Sequence, residues 1–212
     1  MDGLLLDSER LHLECFSFAI ESLGYEIKLD AYRACIGTTV QKSDEILMAA
    51  YGPEFKLDQL KDIWDRRYHG LIDDGHLEVK PGAVELLASA MYAGIACALA
   101  TSTGRATTMK KLALAKLAQH FVFIVTGDDV SQSKPHPEPY AKAAIGLGIA
   151  PGHCWALEDS ENGVRAALAA GCHVFQVPDL VEPTAQVRAL GHEVVDSLHV
   201  VTQRLATVVA AD

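Results

Sequence analysis

The chain has 212 residues, 50% of them hydrophobic, 22% charged and 7% aromatic, and a formal net charge of −10. This is an ordinary globular composition, long enough for one substantial core plus an insert. The acidic balance argues against a nucleic-acid surface, which is basic, and no apolar run approaches the roughly 18 residues of a membrane span.

Cys15, Cys35, Cys97, Cys154 and Cys172 are scattered, with no C-x-x-C pair. They suggest no disulfide framework, and a reducing, cytoplasmic setting is expected. Met1 to Ser8 opens directly on an acidic turn with Asp2 and Gly3, then a short apolar run to Asp7. Leu11, Cys15, Phe16, Ala19, Ile20 and Leu23 follow at helical spacing, with Ser8 as the expected cap. From Tyr25 to Gly75 the pattern is helical and strand-poor. Val40 to Tyr51 and Leu57 to Ile72 are the candidate helices, divided by Gly52-Pro53. Residues 9–79 are therefore expected to form a small helical insert, and Lys80-Pro81-Gly82 marks the return to the main domain.

From there helix and strand signals alternate. Helices are expected over Ala83–Tyr92, Arg105–His120, Tyr140–Leu147 and Val164–Ala170. Strands are expected over Ile95–Ala100, Phe121–Val125, Cys154–Leu157 and His173–Val177. Thr184–Leu190 and Val195–Val209 read as helical. Short connections between alternating elements predict a doubly wound, Rossmann-like parallel sheet, built from residues 1–8 and 80–212.

The chemistry is expected at the carboxyl ends of the strands, where open parallel sheets bind ligands. The run ending at Leu157 meets two adjacent carboxylates, Glu158 and Asp159, then Gly163 and an Ala-rich helix. Paired carboxylates at a strand end suit a hard divalent cation; their bland use is to cap the following helix. Three further stretches lie at comparable places: Asp2-Gly3, Thr101-Ser102, and Lys134 in a Pro-rich loop. Two of them have an ordinary reading as well: Thr101 as a helix cap, Lys134 as an exposed loop lysine. Asp7 reads as a hinge or cap residue, Asp128-Asp129 as a loop that could help shape a metal site, and Trp64, Arg66 and Arg67 as a solvated or packing face.

Taken in order, Met1–Glu9, Ala98–Thr103, Ser133–Pro137 and Leu157–Gly171 resemble the motifs of the haloacid dehalogenase superfamily. The similarity spans the whole chain and is strongest to the branch of β-phosphoglucomutase-like enzymes and small-molecule phosphatases. It implies an α/β core with a helical cap inserted after the first motif, acting as a lid. It implies Mg²⁺ as cofactor and a small phosphorylated metabolite as substrate, with no nucleic-acid or membrane partner, in a monomer or weak dimer. By the same resemblance Asp2 is the general acid/base. Thr101, Ser102 (through its backbone N–H) and Lys134 hold phosphoryl oxygens. Asp159, with Glu158 and the backbone carbonyl of Asp2, holds the metal; Glu9, His12 and Gly37 belong to the substrate and cap-hinge region.

One family residue lacks a counterpart. The nucleophilic Asp falls two residues before Asp2, upstream of Met1, together with the central strand that carries it. The expectation is that Met1 is the middle residue of an Asp-Met-Asp, and that the 212-residue chain alone is inactive. A phosphomutase is the alternative, disfavoured because Ile36–Val40 carries no cation and Lys42 is the nearest. A non-catalytic metal- or phosphate-binding remnant is another. A phospho-accepting signalling domain is opposed by the helical insert and the motif order, and a dehalogenase by the acidic metal site.

Overall fold

The structure, a computed structural model, describes residues 1–36 and 38–210. The chain divides into two compact units, Ser8–Leu77 and Met1–Asp7 with Glu78–Asp212.

In the unit Ser8–Leu77 the regular structure among the described residues is helical. It comprises α1 (Ser8–Ser22), α2 (Leu29–Cys35), α3 (Val40–Tyr51) and α4 (Leu57–Asp73). Leu60, Trp64, Tyr68 and Ile72 stand four apart on α4 and so share one stripe. This stripe packs on α1, whose Leu11, Cys15, Phe16, Ala19 and Ile20 are buried. The Phe16 ring lies 5.0 Å from Tyr32 and 5.3 Å from Trp64, centroid to centroid. Trp64 is thus a packing residue, while Arg67 stacks over Phe18 at 4.1 Å and pairs with Glu14 at 2.9 Å. Gly52 closes α3 at φ 93°, where the Gly-Pro break was expected. Ser8 departs from its expected role: it is the first helical residue of α1, and its buried hydroxyl has no partner among the described residues.

In the second unit the order is α5 (Ala83–Tyr92), β1 (Ala98–Ala100), α6 (Arg105–Leu114), β2 (Phe123–Val125) and α7 (Glu138–Leu147). It continues with β3 (Trp155–Glu158), α8 (Glu161–Ala170), β4 (His173–Gln176), α9 (Ala185–Arg188), β5 (Glu193–Val194) and α10 (Leu198–Val209). All strand pairs are parallel, as the alternation predicts for an α/β fold of this class. Val164, Ala166 and Ala167 of α8 pack with Ala156 and Val174 on the sheet. The small side chains of the Ala-rich helix let it approach the strands closely.

Several boundaries differ from the sequence reading, such as β1, which begins at Ala98 rather than Ile95, and three of them have a local physical reason. Helix α6 stops at Leu114, six residues short, because Lys116 takes a left-handed conformation at φ 56°. Its N–H donates to Ala113 O (3.1 Å) and the Leu117 N–H to Leu112 O (2.9 Å), closing the helix as a Gly normally would. The expected tail helix from Val195 begins only at Leu198, because Glu193–Val194 pairs with Phe175–Gln176 as β5. Helix α8 begins at Glu161, with Ser160 accepting from the Gly163 N–H. The Glu158-Asp159 pair is not its cap.

The sheet is in two pieces, β1-β2 and β3-β4-β5. Among the described residues no strand pairs with the other edge of β1 or of β3. Yet Lys134 Nζ reaches the last carbonyl of β1, Ala100 O, at 3.1 Å, and also pairs with Glu158 at the end of β3.

Candidate functional site

Met1 to Leu6 folds into a tight turn. The N–H groups of Leu5 and Leu6 donate to Met1 O at 2.9 and 3.2 Å, and that of Gly3 to Leu6 O at 3.0 Å. Gly3 has φ 72°, a conformation costly to a residue with a Cβ. A second constraint is steric, since a Cβ on Gly3 would lie 2.4 Å from Asp159 Oδ2. Residues 78–80 anchor this turn: the Asp7 N–H donates to Glu78 O and the Lys80 N–H to Leu5 O, both at 2.9 Å.

Asp2 projects from the turn toward the end of β1. Its Oδ2 accepts from the Thr103 hydroxyl (2.8 Å) and its Oδ1 from Lys111 Nζ (2.6 Å). Burial pushes the Asp2 carboxyl up, but the charge of Lys111, the Met1 ammonium, and these hydrogen bonds prevail and lower it to about 2. Asp2 is therefore ionised across the neutral range. Thr101 is buried at the end of β1, its N–H on Val125 O (2.9 Å) and its hydroxyl accepting from the Thr103 N–H (3.2 Å). Ser102 is exposed beside it.

Lys134 links the ends of β1 and β3. Its ammonium donates to Ala100 O and Glu158 Oε1, and an ammonium carries three donors. Glu158 is almost wholly enclosed: Tyr140 and Lys134 donate to Oε1, and the Ser160 hydroxyl to Oε2 at 3.1 Å. Burial raises the Glu158 carboxyl, but the Lys134 and Met1 charges outweigh it and leave it lowered. With both oxygens engaged, Glu158 fixes Lys134 in place. In this structure the carboxylate serves a buried ammonium and two hydroxyls. The adjacent Asp159 is raised, to about 7, first by burial and then by the Glu158 charge. A carboxylate so disfavoured as an anion is a receptive oxygen donor for a cation.

Gly163 is what allows Glu158 its position. A Cβ there would sit 1.9 Å from Glu158 Oε2, so only Gly lets the carboxylate lie against the N-terminus of α8, where helix charge favours it. Gly163→Ala is expected to lower the melting temperature, although Ala is worth about 1 kcal/mol more than Gly in a helix. An unchanged or raised melting temperature in thermal unfolding would contradict this packing.

Two of the groups around Asp2 escaped the sequence reading. Lys111 shares the buried face of α6 with Thr108 and Leu112, and a lysine on the inward stripe of a helix was the available signal. Thr103 closed the stretch Ala98–Thr103 but was given no role of its own. Asp128 and Asp129 have another use than a metal site: Asp128 accepts from the Arg105 N–H at the start of α6 (2.7 Å), and Asp129 from Thr126 and Arg105. Of the hinge candidates, Glu9 and His12 lie in the helical unit, where His12 stacks on Tyr68 at 3.7 Å and the Glu9 carbonyl accepts from Tyr32. Gly37 lies outside the described residues. Among the described residues no three His, Cys, Asp or Glu side chains form a ready-made metal cage. The oxygen donors at the Gly3 turn nonetheless fit a hard divalent ion in kind.

The chain belongs to the haloacid dehalogenase-like hydrolase family, whose model matches residues 1–177. It is 34% identical to Protein CbbY of Rhodobacter capsulatus over 189 residues, 84% of this chain and 82% of that protein. It is 33% identical over 171 residues to the Phosphorylated carbohydrates phosphatase of Thermotoga maritima, 81% of this chain and 79% of that one. The crystal structure of a CbbY mutant from Rhodobacter sphaeroides with xylulose-(1,5)bisphosphate superposes with a TM-score of 0.71 at 26% identity, covering 93% of this chain and 92% of the other. A putative β-phosphoglucomutase from Thermotoga maritima superposes with a TM-score of 0.82 at 28% identity, covering 98% of this chain and 96% of the other, so within its family the chain is close to CbbY-like and β-phosphoglucomutase-like phosphatases. No helix among the described residues is long and apolar enough to cross a membrane.

Proposed function

We propose that this protein is a Mg²⁺-dependent phosphatase of small phosphomonoesters, sugar phosphates or related metabolites, acting through an aspartyl-phosphate. The observation that carries the reading is the linked set of contacts at one turn. Asp2 meets Thr103 at 2.8 Å, Thr103 meets Thr101 at 3.2 Å, and Gly3 lies against Asp159. The similarity to a phosphatase of phosphorylated carbohydrates and to a CbbY crystallised with a sugar bisphosphate supports the substrate class.

Each residue has a defined task in this reading. Lys134 spends two donors on Ala100 O and Glu158, and offers the third to a phosphoryl oxygen. The Thr101 hydroxyl holds another phosphoryl oxygen, and the Ser102 N–H a third. Asp2 is the general acid/base: ionised in the free site, it takes up a proton as the phosphomonoester binds, gives it to the leaving oxygen and then takes one from the attacking water; Lys111 and Thr103 orient its carboxylate. Asp159 and the Asp2 carbonyl would hold Mg²⁺, which when bound offsets the repulsion between site carboxylates and a phosphate dianion. The nucleophilic Asp is assigned to a position upstream of Met1, at the end of a strand filling the gap between β1 and β3. The divided sheet supports that placement.

The 212-residue chain alone is expected to show negligible turnover. The deciding experiment screens phosphorylated metabolites, with Mg²⁺, against the protein extended by the upstream residues. Release of phosphate from at least one sugar phosphate, abolished by Asp2→Asn, is the expected result. Turnover that requires a bisphosphate activator would identify a phosphomutase instead, and binding of Mg²⁺ and phosphate without turnover a non-catalytic remnant.

A further inference from the structure

We propose that Asp179 is a cation-binding carboxylate of this site, sharing a divalent cation with Asp159, and that Lys80 takes the cation's place when none is bound. The inference rests on the reading of the Gly3 turn as a cation and phosphate site. It adds a residue to that site which the ordered motifs do not contain.

Asp179 follows β4 as Asp159 follows β3, and the two strands are adjacent and parallel, with Glu158 opposite Gln176. The strand ends are pinned together: the Val177 N–H donates to Glu158 O (2.7 Å) and Gln176 Nε2 to Asp159 O (3.3 Å). Asp159 and Asp179 therefore emerge on the same rim of the sheet. The side chain of Asp179 is 8% exposed. Its Oδ1 accepts from Lys80 Nζ, whereas Oδ2 is buried and accepts nothing among the described residues.

That unpartnered oxygen is aimed at a particular place. The point where a Cβ on Gly3 would sit is 2.4 Å from Asp159 Oδ2 and 3.4 Å from Asp179 Oδ2. Two carboxylate oxygens thus lie on the same side of Gly3, at a closeness that a Cβ on residue 3 would not permit. A buried acceptor without a donor is unfavourable, and two carboxylates sharing a site repel. A cation lodged near both removes both penalties. An oxygen-only donor set selects Mg²⁺, Mn²⁺ or Ca²⁺ over softer ions.

Glu158 is the sequence-adjacent alternative, and it is committed elsewhere. Its oxygens serve Lys134, Tyr140 and Ser160. Asp179 differs in that one oxygen is unclaimed among the described residues, while the other is held by the single ammonium of Lys80. Lys80 is 18% exposed along its side chain, so its head can move toward solvent while its stem stays packed. When a cation binds, the carboxylate exchanges an ammonium for a doubly charged ion. Lys80 is thereby a competitor, a role that a purely structural ion pair would not have.

The test is Mn²⁺ binding to the 212-residue chain, read by electron paramagnetic resonance of the free ion. It compares the unsubstituted protein with Asp179→Asn, Lys80→Met and Asp159→Asn, with far-UV circular dichroism as a check of folding. Asp179→Asn should weaken Mn²⁺ binding about tenfold or more, within the range seen when groups supporting a metal site are removed. Lys80→Met should strengthen it several-fold, the opposite sign from any loss of structure. Should Asp179→Asn fail to fold, Lys80→Met decides alone, and an unchanged or weakened affinity overturns the proposal. Binding that depends on Asp159 but ignores both Asp179 and Lys80 refutes this inference and leaves the cation site standing. If the unsubstituted chain binds no Mn²⁺, the cation site itself fails, and Asp179's role with it.

Discussion

Replacing Lys134 with Met is expected to lower the unfolding free energy by about 3–5 kcal/mol, the usual cost of stranding one member of a buried ion pair. Lys134 and Glu158 are 11% and 5% exposed along their side chains, so little water is available to replace the lost ammonium. Tyr140 and Ser160 remain as donors to Glu158, but a hydroxyl cannot neutralise a buried anion. The double substitution Lys134→Met with Glu158→Gln removes both charges and should recover much of the loss, because the penalty belongs to the unpaired charge. The pH dependence follows from the lowered Glu158 carboxyl. A group lowered on folding stabilises the protein above its unfolded value, near 4.3 for Glu, and this contribution is lost as pH falls through the lower folded value. Without Lys134 the buried carboxyl can instead protonate. The gap in stability between the two proteins should therefore be widest near neutrality and narrow on acidification. Urea unfolding at pH 7 and at mildly acidic pH measures both, and a constant gap would refute the role given to Glu158.

This buried pair also marks how far the residues could be read in advance. Lys134 and Glu158 stood out because charged groups at strand ends are conspicuous in a linear sequence. Their mutual engagement did not, since nothing in linear order says which of two neighbouring carboxylates turns inward. The Gly at position 163, which a Cβ would bring within 1.9 Å of Glu158, was visible as a residue but not as a steric requirement. Alternation of apolar runs and amphipathic stretches predicted the parallel α/β core, and Gly52-Pro53 marked the break between α3 and α4. The end of α6 was illegible because Lys116, at φ 56°, does the work usually left to Gly. A strand of two residues, Glu193–Val194, is too short for any periodicity to register. Lys111 and Asp179 were missed for a different reason. Each is a charged residue in an ordinary-looking place, and only the folded chain shows that Lys111 reaches Asp2 and that Asp179 faces Gly3.

Extending the chain upstream by an apolar strand ending in Asp is expected to raise both stability and turnover, and the two effects separate. β1 and β3 each pair on one side, with β2 and β4 respectively, and no strand among the described residues pairs with their other edges. In β1 only Leu99 is fully buried, although strands of a doubly wound sheet are normally covered on both faces. A strand inserted there would supply partners to two rows of backbone groups, each worth about 1–3 kcal/mol when buried and unpaired. It would also carry its terminal Asp to the rim beside Asp2, within reach of a phosphoryl group held by Thr101 and Lys134. Phosphatase turnover should rise by at least ~10³ over the 212-residue chain, a conservative figure for gaining a covalent nucleophile. Asn in place of the added Asp should return turnover to background while keeping the gain in stability, because the strand pairs through its backbone whatever its last side chain. Chemical unfolding and phosphate release, measured on the original chain, the extended chain and its Asn variant, test both halves. If the extension leaves stability unchanged, the gap in the sheet is not a strand's place, and the upstream nucleophile loses its structural support.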